Sequence, residues 1–149
     1  MSIEDLETKE FREIMREHIL NTIEYMFDNN EEFGIACEID DVHFNPELPK
    51  EIKESLPKMT FFMLANYSFE SSSIDDEYLS FEAGFGKDNF GALVQVPLLS
   101  IKQLFVGEYP VLINIISNTQ EVQEEEKSEI NSMSALLNNP KNAKLIKKR

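Results

Sequence analysis

Residues 78–96 read YLSFEAGFGKDNFGALVQV, and the period of this stretch decides the fold. Leu79, Phe81, Ala83 and Phe85 alternate with other residues, the pattern of a strand with one buried face. The glycine-bounded loop GKDNFG returns the chain into a second apolar run, ALVQV. Two strands joined by so short a connection lie antiparallel.

The same period continues on both sides. Upstream, TFFMLANYSF (60–69) is the most strand-like run, with aromatics at 61, 62, 67 and 69, and SSSIDDE (71–77) is a polar turn region. FGIACEI (33–39) reads as a strand, with Asp40-Asp41 a turn into VHF. NPELPKEIKESLPK (45–58) carries three prolines and reads as a connector with a short helical turn. Downstream, Pro97 ends its strand and opens a short helix, LLSIKQLFV. YPVLINII (109–116) is the last apolar strand. Before all of these, Phe11, Ile14, Met15, Ile19, Ile23, Met26 and Phe27 recur three or four apart, which predicts an amphipathic helix over 10–27. Its stripe is wide, since Leu20 and Tyr25 lie off centre, so it either packs on its own domain or pairs in part with a second copy. The expected fold is α+β, mainly β: an N-terminal amphipathic helix, then an antiparallel, barrel-like meander of about five strands.

A chain of 149 residues with 42% hydrophobic residues and eleven Phe can fill one ordinary core and carry an appended segment. No stretch reaches the ~20 apolar residues that span a bilayer, and MSIEDLETKEFRE lacks the apolar run of a secretory signal. The single cysteine, Cys37, agrees with a reducing cytoplasm. The folded body, 1–116, holds 23 acidic and 8 basic side chains, a net of −15. Such a surface repels phosphate backbones and argues against nucleic-acid binding. It serves solubility, or it selects basic and neutral peptides.

From Ser117 the apolar period stops, and 117–140 reads as an acidic, disordered linker. The chain then ends KNAKLIKKR (141–149), where five of the fourteen Lys and Arg surround Leu145 and Ile146. Neither solubility nor membrane anchoring accounts for that composition; a receptor for a basic-aliphatic peptide does.

Little in the sequence is suited to catalysis. Cys37 and His43 are not at zinc-ligand spacing and lack two further strong ligands. Cys37 sits mid-strand as a small core residue would. Asp40-Asp41 and Asp75-Asp76-Glu77 lack the alternating ligands and glycine of a calcium loop, and no lysine follows the glycines at 86 and 91 as in a P-loop. No cofactor or metal is expected, and the chemistry belongs to a partner.

The run LSFEAGF, a glycine loop and ALVQVPLLSIKQLF resembles the SspB family of adaptors for the ClpXP protease. Phe85-Gly86, Val96-Pro97-Leu98 and the short apolar helix expected from Leu99 to Phe105 carry the likeness. SLPKMTFFMLANYSF and the helix end EYMFDNN are similar to family segments in the same order, so the resemblance spans roughly residues 10–116. The family's Phe-Gly-Gly-x-Pro turn is here the longer Phe85-Gly86-Lys87-Asp88-Asn89-Phe90-Gly91.

The resemblance implies a non-catalytic, generally dimeric adaptor. Its body binds the ssrA tag that trans-translation adds to stalled proteins, and its C-terminal peptide docks on ClpX. Ala143, Lys144, Leu145, Ile146 and Lys147 are the counterpart of that peptide. The expected tag-binding groove comprises Ala65, Asn66, Tyr67 and Phe69 on one strand, with Phe85, Gly86, Gln95 and Val96 nearby; Phe85 and Val96 are equally readable as core. The 24 linker residues span roughly 25–30 Å as a coil, which raises the effective concentration of a tethered substrate to about millimolar. Two rival readings remain. One is a small acidic cytoplasmic chaperone of the secretion type that binds extended peptides. The other is a hydrolase using Cys37 or a serine of the SSS turn.

Overall fold

The structure, a computed structural model, describes residues 2–118. The terminal segment 141–149 and the expected linker beyond Asn118 lie outside the described residues. Residues 1–118 form one compact unit.

The long helix α1 (Lys9–Asp28) starts where Thr8 Oγ1 accepts the Phe11 N–H at 3.1 Å, a side-chain cap on an otherwise orphan donor. Ile19, Ile23 and Met26, spaced along one face, are buried. Eight strands follow: β1 (Phe33–Glu38), β2 (His43–Asn45), β3 (Met59–Leu64), β4 (Ser73–Ile74), β5 (Tyr78–Phe85), β6 (Phe90–Pro97), β7 (Ile101–Val106) and β8 (Tyr109–Ile113). Two short helices, α2 (Lys50–Ser55) and α3 (Tyr67–Glu70), flank β3. The strands form two four-stranded antiparallel sheets, ordered β3-β1-β7-β8 and β2-β6-β5-β4.

The alternating residues of 78–96 behave as their period requires: Leu79 and Phe81 of β5 and Val94 and Val96 of β6 are buried. They face Ile35, Cys37, Leu64, Ile101 and Leu104 of the other sheet within one core. Phe62 joins the layers, its ring 5.4 Å from that of Phe81 and 6.3 Å from that of Phe85. A second aromatic group, Phe27, Phe33 and Phe69, ties the end of α1 to β1 and α3. No helix among the described residues is long and apolar enough to cross a membrane.

The α+β class and the leading helix are as the sequence predicts. The connectivity is not a meander: β1 lies between β3 and β7, β2 pairs with β6, and two open sheets stand where a barrel-like sheet was expected. The expected strand 60–69 stops at Leu64. Asn66 there adopts φ 55°, and the Ser68 hydroxyl takes the Ala65 N–H at 3.0 Å, so the ladder cannot continue and residues 67–70 coil into α3. The expected helix 98–106 is only a 3-10 turn at Leu98–Ser100, followed by β7. Its residues are needed to pair β1 on one side and β8 on the other. Irregular register at Ala36/Cys37 and at Leu104/Phe105 breaks the alternation that marks a strand in sequence. The last strand ends at Ile113, not at 116.

Candidate peptide-binding groove

A feature of chemical interest lies where the two sheets part. β3 is an edge strand. β4 covers β5 only at Leu79 and Ser80, and the next amide on that edge, Glu82 N–H, is taken at 3.0 Å by the Ser71 hydroxyl. Strand alternation turns the backbone polar groups of Gly84 toward the same edge. Between these two edges runs an open groove of about 680 Å³. Small residues, Ala65, Ala83, Gly84, Gly91 and Ala92, form much of its lining, with Phe62, Phe81 and Leu93 supplying the apolar walls. Asn45, Asn66, Ser68 and Asn89 bring amide and hydroxyl groups to it.

The corner after β3 is held rigidly. Glu32 accepts the Asn66 N–H at 2.9 Å, while the Ser68 hydroxyl sits 2.9 Å from the Ala65 carbonyl and 3.2 Å from that of Met63. Tyr67 reaches across the groove and donates its hydroxyl to Glu82 at 2.8 Å. That hydrogen bond, with the carboxylate's charge, holds the phenol pKa above its ordinary value. Gly84 and Asn89 meet near the hairpin tip: a β-carbon on Gly84 would lie 1.8 Å from Asn89 Oδ1, so any side chain at 84 would push that amide from its present place in the groove.

Ala65, Asn66 and Tyr67, expected on a strand, come together in the groove from the corner and the start of α3. The other expected residues stand elsewhere. Phe69 turns inward against Phe27 and Phe33. Val96 is fully buried, and Gln95 lies in β6 between His43 and Ser80. Phe85 packs edge-on to Phe44. Gly86 begins the hairpin turn at φ 75°, against Ile52 of α2. That turn is shorter than its glycines imply, because Phe85 pairs with Phe90 and only 86–89 lie outside the ladder. Sequence reading missed Phe62, Glu82, Gly84 and Asn89. The pair Gly84 and Gly91, directly opposite each other, was the available signal, since glycines inside strands mark close approach of backbone or ligand.

Three candidate nucleophiles are occupied otherwise. Cys37 is completely buried, and burial, reinforced by the Glu38 charge, pushes its thiol up to about 12. The hydroxyls of Ser71 and Ser72 are directed at the carbonyls of Ser68 and Phe69. Among the described residues, no three His, Cys, Asp or Glu side chains gather as metal ligands do. The arrangement can therefore bind an extended chain by its backbone, with shallow selection for side-chain size. No protein-family model matches this chain, and a comparison with curated proteins found no match.

Proposed function

We propose that the protein is a non-catalytic cytoplasmic adaptor. Its body binds ssrA-tagged, trans-translation-tagged polypeptides, and its basic-aliphatic terminus hands them to the ClpX unfoldase of ClpXP. The observation that carries this reading is the groove between the β3 and β5 edges. It offers backbone partners and small-residue walls to an extended peptide, in a chain whose sequence resembles SspB adaptors. The reading includes a homodimer and excludes nucleic acid, membrane and cofactors as ligands of the body. Delivery requires two weak contacts on one chain: the groove for the tag, and Ala143 to Lys147 for ClpX.

The test is fluorescence anisotropy with a labelled ssrA-tag peptide against the full chain and residues 1–118. The adaptor reading expects micromolar or tighter binding by both forms, and ClpXP degradation of a tagged reporter stimulated only by the full chain. Gly84→Val, which fills the groove floor, should weaken peptide binding roughly tenfold or more. Absence of tag binding in both forms overturns the reading and favours a peptide-holding chaperone of the secretion type.

A further inference from the structure

The groove between the β3 and β5 edges carries a single charge. Among the side chains that line it, Glu82 alone is a carboxylate, and no Lys, Arg or His joins it. Lys87, in the hairpin turn beyond β5, is not a lining residue. The ion pairs among the described residues all lie elsewhere, so the described residues leave the Glu82 charge uncompensated. We propose, resting on the reading of this groove as a peptide site, that Glu82 and Tyr67 form a subsite for a Lys or Arg side chain of the bound segment, and that the same carboxylate rejects an acidic residue there.

The carboxylate is held from two sides. The Ser71 hydroxyl takes the Glu82 N–H at 3.0 Å, and the Tyr67 hydroxyl donates to Oε1 at 2.8 Å. No other donor among the described residues reaches this carboxylate, which leaves Oε2 to accept from a ligand. A bond from a cationic donor to such an oxygen is about twice as strong as a neutral one. Tyr67 is 62% exposed, so its ring stands at the groove surface beside the carboxylate, where an aromatic face adds to the attraction for a cation.

The strand register supplies a bed for the aliphatic stem. Glu82 lies opposite Leu93, and Leu93 opposite Asn45, on the side of the sheet away from the buried row Phe81, Val94 and Phe44. Glu82, Leu93 and Asn45 all line the groove. Side chains so paired stand roughly 5 Å apart. A Lys or Arg stem laid on Leu93 therefore brings its charged head to Glu82.

The surroundings have the same sign. Glu32 accepts the Asn66 N–H at this end of the groove. The Tyr67 phenol pKa is held up first by the Glu82 hydrogen bond and charge and further by the charge of Glu70. An Asp or Glu side chain placed here would meet like charges with no cation to relieve them. A hydroxyl or amide would satisfy Oε2 without the Coulomb gain. The subsite is open to water, so its effect is selectivity among peptides rather than a large share of affinity.

The experiment is fluorescence anisotropy on the full-length chain with a positional library of labelled peptides. Each carries Lys, Gln or Glu at one position among mixed neutral residues, and the ssrA-tag peptide is measured beside them. Glu82→Gln, Glu82→Lys and Glu24→Gln, the last exposed on α1, are each checked for native circular dichroism. The expected result is one position at which Lys binds roughly tenfold tighter than Glu at low salt, a ratio that shrinks as salt rises. Glu82→Gln, which keeps an acceptor for Tyr67, should abolish that ratio, and Glu82→Lys should invert it. Glu24→Gln should leave it as in the wild type. A library with no binders, no such position, or a ratio that survives Glu82→Gln overturns the proposal. So does a ratio lost in Glu24→Gln, which would assign the preference to net charge. Tag binding without a Lys-selective position sinks the subsite alone; a Lys-selective position without tag binding sinks the tag reading and upholds the subsite.

Discussion

Asn114 is 4% exposed, and every polar group of its side chain is used. Its amide donates to the Leu99 and Ile101 carbonyls, each at 3.0 Å, and its Oδ1 accepts the Ile116 N–H at 2.7 Å. One side chain thus joins the 3-10 turn before β7 to the segment after β8. Asn114→Ala removes the side-chain partner of three backbone groups, the Leu99 and Ile101 carbonyls and the Ile116 N–H, and should destabilise the fold by about 3 kcal/mol, read by urea unfolding. A loss well under 1 kcal/mol would show that water replaces the amide. At Cys37 the expectation runs the other way, toward silence. With its pKa near 12 and no exposed surface, the thiol is neither ionised nor reachable. Iodoacetamide at mildly alkaline pH should modify it only in denaturant, followed by mass spectrometry. Rapid labelling of the native protein would revive Cys37 as a nucleophile.

Among elements, the turn before β5 is set by one carboxylate. Asp75 Oδ1 accepts the Tyr78 N–H at 2.7 Å and the Glu77 N–H at 2.8 Å, and these bonds, that of Tyr78 foremost, lower its pKa. A depressed carboxyl pKa contributes stability above the unfolded value that is lost as pH falls through the folded one. Asp75→Asn keeps an acceptor but not the charge, so its thermal midpoint should lie slightly below wild type at neutral pH. The gap should close in acid, as seen by scanning calorimetry; a gap constant with pH would assign the effect to packing. Such local features are legible: α1 and the strands around 78–96 follow directly from period and turn residues. β7 is not, because its bulges place Leu98, Leu99, Ile101 and Leu104 at helix-like spacing, and only the need to pair β1 decides against a helix. The groove was half legible for the same reason. Ala65, Asn66 and Tyr67 reach it by leaving the strand at a left-handed asparagine, whereas Gly84 and Asn89 reach it through a pairing register that no local pattern encodes.

At the scale of the whole molecule, the body's limit is set by how its last residues are held. The sequence places that limit at 116, where the apolar period fails, but two of the eight basic side chains of an acidic body are committed at and beyond it, Lys102 at 116 and Arg12 past it. The Arg12 guanidinium donates to the Ser117 and Asn118 carbonyls at 2.6 and 2.7 Å. Lys102, whose amine pKa is lowered by burial, donates to the Ile116 carbonyl. Ile116 itself is fully buried. Docking of 114–118 therefore belongs to folding, and whatever follows Asn118 starts from a fixed point on the body rather than from the loose end of β8. Residues 1–118 should unfold at the same temperature and urea midpoint as the full chain. Residues 1–113 lose Ile116 and the Asn114 hydrogen bonds together, a deficit of about 5 kcal/mol. That is comparable to the entire stability of many domains this size, so this form should be largely unfolded by circular dichroism. If 1–113 instead melts with 1–118, the cations at the exit hold a dispensable strap, and the folded body ends at Ile113.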